Sequence, residues 1–142
     1  MRITADTNVL VRTLVQDDEA QAAAAQALLL QATVIAVPIP VLCEFAWVLT
    51  RRYGYGAEEV AAAIRSITRI DTVVTDAPAA DAGLAALRAG GDFADGAIAS
   101  QGERLGGDVF ASFDRSAVDW LRESGAQAAD PTELIADGAS GA

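Results

Sequence analysis

Five acidic side chains have the types and spacing to do chemistry: Asp6, Glu44, Asp92, Asp95 and Asp114. Carboxylates can take a proton from water or hold a divalent cation, and both are routes to hydrolysis. The rest of the composition narrows the field. The chain has 142 residues, no histidine and a single cysteine, Cys43; all 10 basic residues are arginine. Without histidine there is no Ser-His-Asp triad, no Cys-His pair and no histidine-bound zinc. One cysteine excludes a disulfide framework and a multi-cysteine metal site. Without lysine, Schiff-base chemistry and the Walker-type phosphate loop fall away. Any chemistry therefore rests on carboxylates, hydroxyls and a metal.

Short β-branched runs alternate with longer alanine- and leucine-rich segments. The pattern predicts strands over 2–5, 33–37, 71–75 and 109–113, with a short fifth over 125–129. Helices are expected over about 7–15, 17–32, 40–53, 58–70, 78–90, 92–105 and 115–123. Such alternation implies one α/β domain, a parallel sheet of four to five strands flanked by helices on both faces. It would occupy residues 1–136, with 137–142 a tail that lacks apolar anchors and frays. In open parallel sheets the reactive crevice lies beyond the carboxyl ends of the strands. Asp6 follows the first strand and Asp114 the fourth. Asp92 and Asp95 open one helix, three residues apart and hence on roughly the same side. Glu44 lies one turn into the third helix, among Val41, Leu42, Cys43, Phe45 and Trp47.

Each acid also has a plain structural explanation. Asp6, Asp92 and Asp114, taken singly, read as helix N-caps worth about 1 kcal/mol each. Asp92 with Asp95 imitates a capping box, although glutamate is the usual partner. Glu44 is harder to dismiss, because a carboxylate on an apolar stripe is costly to bury unless it is paired or metal-bound. The set weighs more than its members. If four carboxylates converge, each pair about 5 Å apart repels by about 3 kcal/mol, on the order of 20 kcal/mol over all pairs. A domain stable by about 5–15 kcal/mol cannot hold them all ionised without a cation. An all-oxygen cluster favours Mg²⁺ or Mn²⁺ over zinc, and such an ion suits phosphodiester hydrolysis by an activated water.

The run Ala5-Asp6-Thr7-Asn8-Val9-Leu10, Glu44 in the third helix, Asp92-Phe93-Ala94-Asp95 with Ile98-Ala99, and Ser112-Phe113-Asp114 together resemble a PIN domain. More closely, they resemble VapC-type ribonuclease toxins of prokaryotic toxin–antitoxin modules. The resemblance spans residues 1 to about 132, with the motifs in the family's order. It implies that Asp6 and Asp95 are the main metal ligands and that Glu44 and Asp114 complete the catalytic acids. Asn8 and Ser112 match polar positions that orient those acids, and Asp92 matches a supporting or capping position. Gly96 departs from the pattern, since relatives more often carry alanine there; a helical glycine costs up to about 1 kcal/mol. The function implied is a Mg²⁺-dependent endoribonuclease, with Mn²⁺ as a substitute, leaving a 3′-hydroxyl and a 5′-phosphate. The partners implied are RNA, a second copy of the chain, and an antitoxin whose basic segment suits the acidic groove.

A net charge of −10 fits poorly with direct binding to nucleic acid unless a metal lies between acids and phosphate. Arg51, Arg52, Tyr53 and Tyr55, at the end of the third helix, read equally as a complement to its dipole or as a phosphate-and-stacking patch. Arg115 could touch a phosphate. Trp47 and Trp120 fit apolar faces as core or interface anchors, and Cys43 reads as an inert buried side chain. Asp17, Asp18, Glu58 and Glu59 read as first-turn acids of their helices. The chain shows no signal peptide and no apolar run of about 20 residues, so it is expected in the cytoplasm and off the membrane. Two other readings stay open. One is a non-catalytic PIN-like binding module whose acids are caps. The other is a phosphatase of the haloacid-dehalogenase type, weakened by Asn8 where a second aspartate is wanted and by the missing lysine.

Overall fold

Each of the five strands found among the described residues ends one to three positions before an aspartate or proline that starts a helix. An aspartate side chain accepts hydrogen bonds from the exposed N–H groups of a first helical turn, and proline lacks the N–H that would otherwise go unmet there. The junction therefore turns extended chain into helix abruptly. The computed structural model describes residues 1–140. They pack as two compact units, divided between Ala80 and Asp81.

The N-terminal unit runs β1 (Arg2–Thr4), α1 (Thr7–Leu14), α2 (Glu19–Gln31), β2 (Val34–Ala36), α3 (Ile39–Arg51), α4 (Ala57–Thr68) and β3 (Val73–Val74). The strands pair in parallel in the order β1-β2-β3, with Ile3 opposite Ile35 and Ala36 opposite Val74. Ile35 and Val37 are fully buried, as are Leu42, Phe45 and Leu49 of α3 and Val60 and Ile64 of α4. The α3 positions fall at i, i+3 and i+7, one stripe of a helix. α1 packs against both α2 and α3. α3 opens at Ile39 with Pro38 as its cap and Pro40 in its first turn, one residue earlier than the sequence pattern places it.

The C-terminal unit contains most of α5 (Ala77–Arg88), then α6 (Phe93–Arg104), β4 (Phe110–Ala111), α7 (Arg115–Glu123), β5 (Ala128–Ala129) and α8 (Pro131–Ser140). β4 and β5 pair in parallel, Phe110 with Ala128 and Ala111 with Ala129. Val118, Leu121 and Ala128 form a core, with Phe110 and Trp120 packed on it. Arg122 ties the unit together: its Nε donates to the Ala128 carbonyl at 2.7 Å and its Nη2 to Glu133 at 2.6 Å. α5 and α6 approach closely because two glycines permit it. A Cβ at Gly83 would stand 2.5 Å from the Phe93 ring, and one at Gly96 would run into the Ala82 carbonyl and lie 2.9 Å from the Ala86 Cβ. The glycine at 96 thus has a packing reason.

All the expected strands and helices are found, the strands trimmed at their ends. α8 is an addition to the sequence reading. The tail expected to fray from residue 137 continues α8 to Ser140, while residues 141–142 lie outside the described residues. No helix among the described residues is long and apolar enough to cross a membrane.

Candidate active site

In the N-terminal unit, the turn from β1 into α1 fixes Asp6 as the cap of α1, where its Oδ1 accepts from the Thr7 N–H at 2.8 Å. Thr7, Asn8, Val11 and Arg12 follow on one face of α1 and line a cleft of about 190 Å³. Glu44, Val48 and Arg52, four residues apart along α3 and its cap, line the opposite side with Tyr53. Asp6, Asn8 and Glu44 are therefore brought to one place. Glu44 is exposed, which corrects its reading as a buried charge. It follows buried Leu42 by two residues, about 200° around the helix, and so points away from the core. Trp47 shares that outer side and is 62% exposed, so it is no core residue.

Positive charge enters the same cleft. Arg12 Nε donates to Gln21 Oε1 at 2.7 Å, and its Nη1 pairs closely with Asp17. Tyr53 Oη donates to the other Asp17 oxygen at 3.3 Å, and the Arg52 guanidinium lies 5.9 Å from the centre of the Tyr53 ring. Asp17 is thus not a first-turn acid of α2; Asp18 caps that helix by accepting from the Gln21 N–H, and Asp17 fastens Arg12 to Tyr53. Glu59 does act at its helix start, accepting from the Gly56 N–H at 3.1 Å.

In the C-terminal unit, Asp92 caps α6 and accepts from Ala94 N–H at 3.1 Å. Asp114 caps α7, accepting from Ser116 and Ala117 N–H at 3.0 and 3.3 Å. Ser112 Oγ accepts from the Asp114 N–H at 3.0 Å and so holds that turn in place. Asp95 is different. It lies in the first turn of α6, half-buried, and is not the cap. Burial pushes its carboxyl above the ordinary value of 3.8, and the charges of Asp92 and Asp114 push it further the same way. None of these causes lowers it.

The donors offered by both units are hard carboxylate oxygens, the chemistry that suits Mg²⁺ or Mn²⁺. Among the described residues, no group of three or more acids or cysteines is gathered tightly enough to hold a metal ion in this structure. The donor chemistry fits a divalent ion, and so do the like charges that add to the effect of burial on Asp95. Missing from the sequence reading was the Asp17–Arg12–Tyr53 link. Its only sequence signal is an acid at a position that the neighbouring Asp18 makes redundant as a cap.

Residues 3–119 match the family described as PIN domain. Among curated proteins, none matches the chain.

Proposed function

Because the chain belongs to the PIN-domain family, we propose that it is a Mg²⁺-dependent endoribonuclease and the toxin of a toxin–antitoxin module. PIN domains are generally nucleases and often metal-dependent. In this reading Asp6, Glu44, Asp95 and Asp114 are the catalytic acids. Asp6 and Asp95 are the metal ligands, and Asn8, Asp92 and Ser112 support them. A bound divalent cation supplies positive charge to a phosphodiester and makes water more acidic. The chain's own residues do the rest. A carboxylate accepts the proton lost by the attacking water, and Ser112 keeps the Asp114 turn from shifting.

The observation that carries the proposal is Asp95. It caps nothing, is half-buried, and is held near two like charges against the protein's own stability. A cation beside it would offset that charge. A second reading is favoured by a specific observation: Asp6, Asp92 and Asp114 each cap a helix, as in a non-catalytic binding module. Asp95 separates the two, because a capping role cannot account for it. The proposed setting is the cytoplasm. The proposed partners are RNA, a second copy of the chain, and an antitoxin whose arginine-bearing segment is drawn by a net charge of −10.

The test is incubation of the purified, antitoxin-free protein with total RNA in Mg²⁺ or in EDTA, beside Asp6→Asn. Discrete fragments with 5′-phosphate ends, lost in EDTA and in the variant, are expected. Intact RNA after exposure to folded, Mg²⁺-supplied protein would overturn the proposal in favour of the binding module.

A further inference from the structure

The cleft between α1 and α3 holds two arginines in unlike situations. Arg12 is committed, bonded to Gln21 and paired with Asp17. Arg52 is exposed, meets no carboxylate within ion-pair reach among the described residues, and has the Tyr53 ring beneath it. That ring is itself fixed, since its hydroxyl donates to Asp17. Arg12 and Asp17 thus hold the support of a second arginine that makes no ion pair of its own among the described residues.

Another lining residue points to an occupant. Thr7 is 4% exposed, and its hydroxyl oxygen is buried without a hydrogen-bond partner. Buried polar groups are normally satisfied, so this residue of the cleft wall carries an unmet polar atom that an entering group would reach once the wall shifts on binding. At about 190 Å³ the cleft is smaller than the ~300–1,000 Å³ typical of small-molecule pockets. It suits one unit of a chain rather than a whole ligand. A guanidinium matches the paired oxygens of a phosphate, and a chain with net charge −10 needs such local cations to admit RNA at all.

We propose that Arg52 is a positioning residue that binds a backbone phosphate of single-stranded RNA at this cleft, beside Asp6 and Glu44. The assignment rests on the ribonuclease reading above. Arg52 governs how tightly the substrate is held; the acids govern the bond cleavage. Arg51, exposed in the last turn of α3 but outside the cleft lining, is the matched control.

The experiment compares the wild type with Arg52→Gln, Arg52→Lys and Arg51→Gln in steady-state cleavage of a single-stranded RNA oligonucleotide across a salt series, with thermal unfolding of each. Arg52→Gln is expected to raise KM about ten-fold, the size of a charge-assisted hydrogen bond lost, with kcat unchanged. The slope of log affinity against log salt should fall by about 0.7, one phosphate contact on a single strand. Arg52→Lys should restore part of the loss, because it keeps the charge but not the fork. An unchanged KM with a lowered melting temperature would reduce Arg52 to a helix-end role and overturn the proposal. So would equal effects from Arg51→Gln, which would mean general charge. If the wild type cuts no RNA, the ribonuclease reading fails by itself. Fluorescence anisotropy of a labelled single-stranded RNA in EDTA then decides the arginine separately: weaker binding by Arg52→Gln supports it, and identical binding sinks it.

Discussion

In the N-terminal unit Asp6 and Glu44 share their cleft with Arg12 and Arg52, whereas in the C-terminal unit Asp95 has Asp92 and Asp114 for neighbours. The first arrangement mixes signs, and mixed signs can hold a polyanion at its phosphates without outside help. The second sets a half-buried carboxylate, Asp95, near two exposed ones, and nothing in that trio offsets the sign. Like charges kept together cost stability, so the C-terminal unit is where a cation is most wanted. The comparison sets a mixed-sign cleft, whose arginines suit a polyanion, apart from a single-sign trio, which suits a cation.

The largest expected effect is on Asp95. Asp95→Asn should lower RNA cleavage by more than about 100-fold, beyond the loss typical of groups that merely support a ligand. Its melting temperature should hold or rise, because the substitution removes repulsion. A folded Asp95→Asn with full activity would erase the contrast between the units. Next comes Gly96→Ala. The added methyl meets the Ala82 carbonyl and the Ala86 Cβ, and overpacking of this kind costs about 1–3 kcal/mol. Urea unfolding should show it, although alanine is the better helix former.

Asp114→Ala should cost about 1 kcal/mol in the same measurement, through lost bonds to Ser116 and Ala117 N–H. If cleavage falls far more than that stability loss explains, Asp114 is more than a cap. Smallest is Tyr53→Phe, which removes one exposed hydrogen bond to Asp17, worth about 1 kcal/mol or less. Its use is to sharpen the N-terminal side. A loosened ring should weaken RNA binding in the direction of Arg52→Gln, and an unchanged KM would show that Asp17 does not hold the support.

The order of elements was legible because strand ends and helix starts are written locally. Asp6, Asp92 and Asp114 stand where caps belong, and each one caps. α8 was equally written, in Asp130-Pro131-Thr132-Glu133: a cap, a proline in the first turn and an acid three residues on. Asp130 indeed accepts from both the Thr132 N–H and its hydroxyl, bonds that hold its carboxyl below the ordinary value. The apolar sequence neighbours of Glu44 suggest burial, but the helical angle from Leu42 points it outward. Two features were beyond local reading. The need for glycine at 96 comes from a contact with α5, and the role of Asp17 comes from Tyr53, 36 residues away.

Titration of the Asp95 side-chain carboxyl by NMR, with and without Mg²⁺, asks whether this carboxylate meets a metal ion. Its folded-state value is raised, so the sign runs against stability at neutral pH. The penalty is full above the raised value, shrinks as pH falls through it, and is gone once the unfolded carboxyl, near 3.8, is protonated too. The account predicts a midpoint above 3.8 without metal and a clear fall when Mg²⁺ is added, with Asp95→Asn losing the Mg²⁺-induced rise in melting temperature. An ordinary midpoint that Mg²⁺ leaves in place would contradict it, and the acids of the C-terminal unit would then be helix caps and surface charge.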